Sequence, residues 1–236
     1  LRHRLQPYEV ERGETERVFR AAVDRVSEGI RSGRDLRALL GEEVQKFRGI
    51  AREESAGRKP RIGVLGDLYV KYSGTVNQRV LELVEELGGE LVIGSFTEYA
   101  LHYYYADVHF YRDDPRHYRL LRSIEGRYEK LAADLIGEQA EPDLAECERL
   151  MEAYKVRHLI VGETSINVGR ALYYIEKGLV DALIHLNPIF CCPGVVTASI
   201  YRKIQEDYGV PIIDLFYDGT GNPNQVLIPH LTYLRG

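Results

Sequence analysis

Cysteine is scarce in this chain of 236 residues: Cys147, Cys191 and Cys192 are its whole complement, and the last two are adjacent. That spacing is not the framework of a disulfide-stapled secreted scaffold, so a reducing cytoplasm is the expected setting. There is no run of about 18 apolar residues to span a bilayer and no basic-then-apolar N-terminus to act as a signal, so no membrane partner is expected. Positive charge is also in short supply. Lys and Arg number 31 against 36 Asp and Glu, a net charge of −5. This lacks the basic footprint that a phosphate backbone requires, and no nucleic-acid partner is expected. No period of 20–50 residues repeats and no low-complexity tract occurs. The chain opens on Leu1 rather than Met, which reads as a trimmed piece of something longer.

What is present is ordinary for a folded protein. Apolar residues make up 44% and charged residues 28%, enough to bury a core in one large α/β domain, alone or with a helical appendage. Residues 1–60 hold 14 Lys and Arg against 11 Asp and Glu, and the rest hold 17 against 25, so a mildly basic segment precedes an acidic one. Within 14–52 the apolar positions Val18, Phe19, Ala22, Val23, Val26 and Ile30, then Leu36, Leu39, Leu40, Val44, Phe47 and Ile50, recur at three- and four-residue steps. Two amphipathic helices broken near Gly33 follow from that period. The polar segment 53–60 ends in Pro60 and suits a linker, which gives a helical N-terminal arm over 1–59 and a second domain over 60–236.

From Arg61 onward the pattern changes to short apolar runs separated by helical stretches. Strands are expected at 61–66, 90–94, 180–186 and 210–216, with helices over 75–87 and 195–208. Alternating β and α with nearly all-apolar strands implies a mostly parallel sheet covered on both faces, a Rossmann-like three-layer α/β sandwich. In such sheets functional residues gather in loops at the carboxyl ends of the strands.

After the first strand, 66–77 carries Gly66, Tyr69, Lys71, Gly74 and Asn77 ahead of a helix, a set able to hold an anion against backbone N–H groups or simply to form a long capped loop. Its spacing is neither G-x-G-x-x-G nor the P-loop pattern. The segment 96–118 interleaves His102, His109 and His117 with eight aromatic residues. Histidines seven and eight apart, with Asp113 or Asp114, allow a metal reading. An aromatic face against the sheet, another copy of the chain or a ligand accounts for the same pattern. Glu163 precedes Thr164 and Ser165, either of which suits a helix N-cap, while Glu163 could orient a ligand. Cys191 follows a strand and precedes Pro193 and Gly194, where a helix dipole stabilises thiolate. It reads as a cluster ligand, a metal ligand, a nucleophile with His185 as base, or a small packed residue. Asp218 lines the same edge or builds a turn, and Cys147 sits in a charged helical stretch.

Taken in order, Gly66-Asp67-Leu68-Tyr69-Val70-Lys71 with Asn77, then Gly162-Glu163, then the run from Asn187 and Pro188 through Cys191, Cys192 and Gly194, then Tyr217-Asp218-Gly219 and the closing helix resemble the acyl-CoA dehydratase activase-related family. These proteins, often labelled CoA-substrate-specific enzyme activases, are similar to the iron–sulfur subunits of 2-hydroxyacyl-CoA dehydratases, including the 2-hydroxyglutaryl-CoA enzyme. The resemblance covers about residues 60–236 and identifies them with the C-terminal domain. It implies low-potential electron transfer to an acyl-CoA through a 4Fe-4S cluster held by cysteines from more than one domain. It also implies an activator ATPase or a dehydratase subunit as partner. Loss of the hydroxyl group would proceed through a ketyl radical of the 2-hydroxyacyl thioester. The cluster cysteine maps onto Cys191. Cys192 stands where the family usually has another residue and is the weaker candidate. By the same resemblance Gly66, Tyr69, Lys71, Asn77, Glu163, Asn187, Gly194 and Asp218 are the candidate ligand-binding positions. A cubane wants about four ligands, so the ligand set in this chain is incomplete, and whether the isolated chain is an enzyme is open. The alternative is a non-catalytic α/β domain that binds a partner protein or a CoA-like ligand without a metal.

Overall fold

A computed structural model describes residues 1–53, 57–110, 115–136, 142–157 and 162–235. In chain order the first elements are α1 (Arg2–Leu5), α2 (Glu14–Arg31), α3 (Leu36–Arg48), β1 (Arg61–Gly66), α4 (Leu68–Tyr72), α5 (Val80–Glu86) and β2 (Glu90–Ile93). Then come α6 (Thr97–Phe110), α7 (Arg116–Glu129), α8 (Ala133–Ile136), α9 (Leu144–Met151), α10 (Thr164–Glu176), β3 (Ala182–Pro188), α11 (Cys192–Tyr208), β4 (Ile212–Tyr217) and α12 (Leu227–Arg235). The chain divides into two compact units. One joins Leu1–Lys59 with Leu121–Ala140, and the other joins Pro60–Leu120 with Glu141–Gly236.

The first unit is helical. Its core gathers Leu5, Ala22, Val44, Phe47, Ile50, Ala132 and Leu135, so the apolar stripes of α2 and α3 close over residues from the 121–140 segment. Arg48 fastens that segment with a two-pronged pair to Asp134, at 2.8 and 2.6 Å, and a 2.8 Å bond to the Leu131 carbonyl. Asp35 caps α3 by accepting from the Arg37 and Ala38 N–H groups. The start of α2 has a cap from further back in the chain: Glu9 accepts from Gly13 N at 2.6 Å and Thr15 N at 2.8 Å.

The second unit is an α/β sandwich. Its four strands are all parallel in the order β2-β1-β3-β4. The register sets Ile62 beside Leu91 and Ala182, and Ile184 beside Ile213. One face of the sheet packs Ile62, Val64 and Ile184 against Val80, Val84, Leu227 and Leu231 of α5 and α12. The other packs Leu65 and Leu183 against Met151, Leu172, Tyr201 and Ile204 of α9, α10 and α11. Strands buried on both faces read as continuous apolar runs because both sides meet helices. Among the described residues no helix is long and apolar enough to cross a membrane.

Two element boundaries differ from the sequence pattern. The helix expected over 75–87 begins only at Val80, because Gln78 and Arg79 both take positive φ, at 53° and 58°, and break the preceding turn. The helix expected from Val195 begins at Cys192, because Cys191 takes an extended backbone and caps it with its own side chain.

Candidate functional site

The chain leaves β1 toward β2 on one side and toward β3 on the other, so the sheet's switch point lies between β1 and β3. A crevice outside the strand ends is expected there. Gly66 closes β1 with φ 127°, and a side chain there would run into the Leu186 backbone. The two strands approach so closely that Asp67 N donates to the Leu186 carbonyl at 2.8 Å. Gly66 N–H donates to Asn167 Oδ1 at 2.8 Å, and its carbonyl accepts from the Tyr99 hydroxyl at 2.9 Å.

The N-termini of α10 and α11 meet at this edge. A Cβ on Gly162 would come within 2.7 Å of the Pro193 ring, and the Thr164 hydroxyl donates to the Pro193 carbonyl at 3.1 Å. The cap position of α10 falls to Glu163 rather than to Thr164 or Ser165, and its side chain does not cap. Glu163 Oε1 instead accepts from Leu68 N–H at 3.2 Å. Burial, reinforced by the nearby Asp67 charge and opposed by that bond and Lys71, pushes its carboxyl up to about 7.

Cys191 is the N-cap of the 17-residue α11, with Sγ accepting from Gly194 N–H at 3.4 Å. Its thiol is half-buried, and Cys192 is exposed one residue on. Asn187, near the end of β3, is 1% exposed. Its carboxamide lies against Gly194, where a Cβ would meet Oδ1 at 2.7 Å, and its buried Nδ2 has no hydrogen-bond partner. Asp67, Glu163, Asn187 and the 191–194 turn thus converge. Exposed aromatic side chains also follow three strand ends at this edge of the sheet: Tyr69 after β1, Phe96 after β2 and Phe190 after β3.

Other expected positions go elsewhere. Lys71 is 1% exposed, and its ammonium is paired with Glu98 rather than open to an anion. Burial pulls its pKa down against the opposing pull of Glu98. The Asn77 carboxamide donates to the Val70 and Lys71 carbonyls and braces the loop. Asp218 accepts from the Thr220 N–H and hydroxyl at 2.7 and 2.8 Å and builds an exposed turn. Cys147 is buried in α9. His185 is fully buried within β3, bonded through Nδ1 to Asp214 at 2.7 Å and edge-on to Tyr201, so it is not positioned as a base for Cys191. His102 bonds Ser165 at 3.1 Å, and His117 lies beside the Tyr104 ring. Asp113 and Asp114 lie outside the described residues, as does the His109 side chain. Among the described residues no three His, Cys, Asp or Glu side chains form a group that could hold a metal.

The sequence reading missed the ionic network under the crevice. Glu98 is bound by Lys71 through Oε1 and by Arg170 Nε through Oε2 at 2.8 Å, and Arg170 also donates to the Tyr174 hydroxyl at 3.1 Å. All three charged groups are at most 4% exposed. The available signal was a charged residue set among largely apolar or aromatic neighbours in each of two helices, Glu98 in α6 and Arg170 in α10. Gly94 leaves room for the network, because a Cβ there would strike Glu98 and Arg170. Beside it lies a cavity of about 10 Å³ bordered by His102, Ser165 and Cys147, room for roughly one water. A larger groove of about 350 Å³ borders Tyr154, Lys203 and Asp207. It is away from the strand-end cluster and its polar groups already pair with one another.

The cluster can position a polar ligand between a carboxyl group and a thiol at two helix N-termini. An iron–sulfur cubane asks for about four ligands. The donor set here fits one contributed thiolate, that of Cys191, and not a complete cage. No protein-family model matches the chain, and no curated protein or solved structure matches it.

Proposed function

We propose that the α/β unit is the C-terminal domain of a 2-hydroxyacyl-CoA dehydratase or activase-related protein, and that it lends Cys191 as one ligand to an iron–sulfur cluster completed by cysteines outside this chain. The observation that carries this reading is the position of Cys191. It is a half-buried thiol at the N-cap of a long helix, at the switch point of a parallel sheet, beside residues that carried the resemblance. Thiolate is the ligating form of cysteine. When bound, the cluster would supply an electron to an acyl thioester. The chain's own residues bind and orient: Gly66 sets the close approach of β1 and β3, Gly194 N–H steadies the sulfur, and Glu163 holds a proton near neutrality.

The test is anaerobic reconstitution of the chain with iron and sulfide, alone and with a cysteine-bearing dehydratase subunit. Broad visible absorption and bound iron are expected, with most of both lost in Cys191→Ser and retained in Cys147→Ser. Equal iron and absorption in the Cys191→Ser protein, or a colourless wild type in both settings, would overturn the reading.

A second reading is metal-free binding of a partner protein or a CoA-like ligand. The exposed aromatic side chains Tyr69, Phe96 and Phe190 around the crevice favour it. Under that reading Cys191→Ala leaves binding intact.

A further inference from the structure

Asn187 poses a physical problem. A buried amide donor without an acceptor costs its desolvation, about 1–3 kcal/mol, and Nδ2 is in that state. The residue is 1% exposed and its carboxamide lies against the first turn of α11. That turn begins with backbone N–H groups that a helix leaves without internal acceptors, and Pro193 contributes none. The Gly194 N–H is taken by Cys191 Sγ, which leaves Cys192 N–H at the open end. Gly194 has no side chain to separate the helix from the amide, and a methyl group there would strike Oδ1. The carboxamide that carries the orphaned donor therefore lies beside a helix N-terminus, and both seek an oxygen acceptor.

The charge around these donors selects the oxygen. Asp67 caps α4 through Val70 N–H and follows directly on the strand end. Glu163 stands between Leu68 N–H and the 193 region of α11. Lys71, the nearest buried cation, is committed to Glu98. A ligand carboxylate would meet the Asp67 carboxylate, joined by that of Glu163 as pH rises past neutrality, with no free cation among the described residues that line the cluster. A neutral carbonyl oxygen takes the same two donors without that repulsion. Beyond it, Tyr69, Phe96 and Phe190 offer apolar area, and Phe190 is 86% exposed although its backbone sits at φ 64°. That conformation is strained for a residue with a bulky side chain.

We infer that Asn187 and the first turn of α11 form a subsite for the neutral carbonyl oxygen of a small ligand whose apolar body lies against the aromatic side chains of the rim. Asn187 Nδ2 and Cys192 N–H donate to that oxygen. The inference rests on the crevice being a ligand site, as the proposed function has it, but it requires no metal and no particular role for Cys191.

Phenylacetamide and phenylacetate serve as probes, titrated into the metal-free full chain while the Asn187 side-chain amide and the Cys192 backbone amide are followed by NMR. Phenylacetamide is expected to shift both signals and to bind about tenfold more tightly than phenylacetate. Asn187→Leu, which removes the orphaned donor while keeping the shape, is expected to hold or raise the melting temperature and to weaken phenylacetamide binding about tenfold, the equivalent of one lost hydrogen bond. Three results would overturn the inference: unmoved Asn187 and Cys192 signals, unchanged binding in Asn187→Leu, or phenylacetate binding as well as the amide. The NMR arm stands even where the variant does not fold. Loss of iron reconstitution with retained probe binding removes the proposed function alone, and the converse removes this subsite alone.

Discussion

Glu98 is the residue on which most of the buried charge depends. Its two oxygens are shared between Lys71 and Arg170, and all three charged groups lie far from water. Ion pairs of this kind add little net stability over apolar packing, but removing one partner strands the other charges. Glu98→Gln keeps the shape and takes from both cations the carboxylate that binds them. We expect it to lower unfolding free energy by about 3–5 kcal/mol, measured by urea denaturation. An effect near zero would show that water reaches the network. Lys71 explains why: a lysine in a glycine-bearing loop reads as an anion-binding group until its carboxylate partner, 27 residues along the chain, is seen.

Helix ends carry much of the logic at the scale of elements. Asp35 caps α3 from within, whereas α2 is capped from Glu9, across Gly13 at φ 88°. Burial tends to raise the Glu9 carboxyl, but the bonds from Gly13 and Thr15 outweigh it and leave its pKa below the usual carboxylate value. A carboxyl whose pKa is depressed on folding adds stability above its unfolded pKa and loses it as pH falls through the folded one. Glu9→Gln should therefore destabilise the helical unit by about 0.5–2 kcal/mol at neutral pH. The difference from wild type should vanish in acid, as read from thermal melts across pH. A pH-independent difference would mean that the carboxylate charge plays no part. Glu163 has the opposite sign, since burial raises its pKa on folding, so its contribution favours the folded state at low pH and is lost as pH rises through neutrality.

At the scale of the whole molecule, the described residues form three buried clusters, one in the helical unit and one on each face of the sheet in the α/β unit. Phe47 is buried in the helical core with Leu5, Ile50 and Leu135, while Leu172 is buried under the sheet with Val168, Leu183 and Tyr201. Phe47→Ala should cost about 3–5 kcal/mol and Leu172→Ala about 2–5 kcal/mol. Hydrogen exchange should accelerate for Phe47→Ala only in 1–53 and 121–136, and for Leu172→Ala only in the α/β unit. Uniform acceleration in either variant would show a single cooperative unit instead.

The periodicities were legible in the chain because they are local. Apolar steps of three and four made α2 and α3, and short, nearly all-apolar runs such as 61–66 and 180–186 announced a parallel sheet covered on both faces. The end of that sheet where Gly66, Glu163, Asn187 and Cys191 gather was legible for the same reason, since a strand followed by a turn and a helix orders its own carboxyl end. Pairings between distant residues were not. The return of 121–140 to the helical core, the burial of Lys71 against Glu98 and Arg170, and the orphaned amide of Asn187 each depend on which residues packing brings together. Local pattern tells whether a side chain faces inward. Only the tertiary structure decides what meets it there, because the energy of a buried polar group is set by its partner and not by its position in the chain.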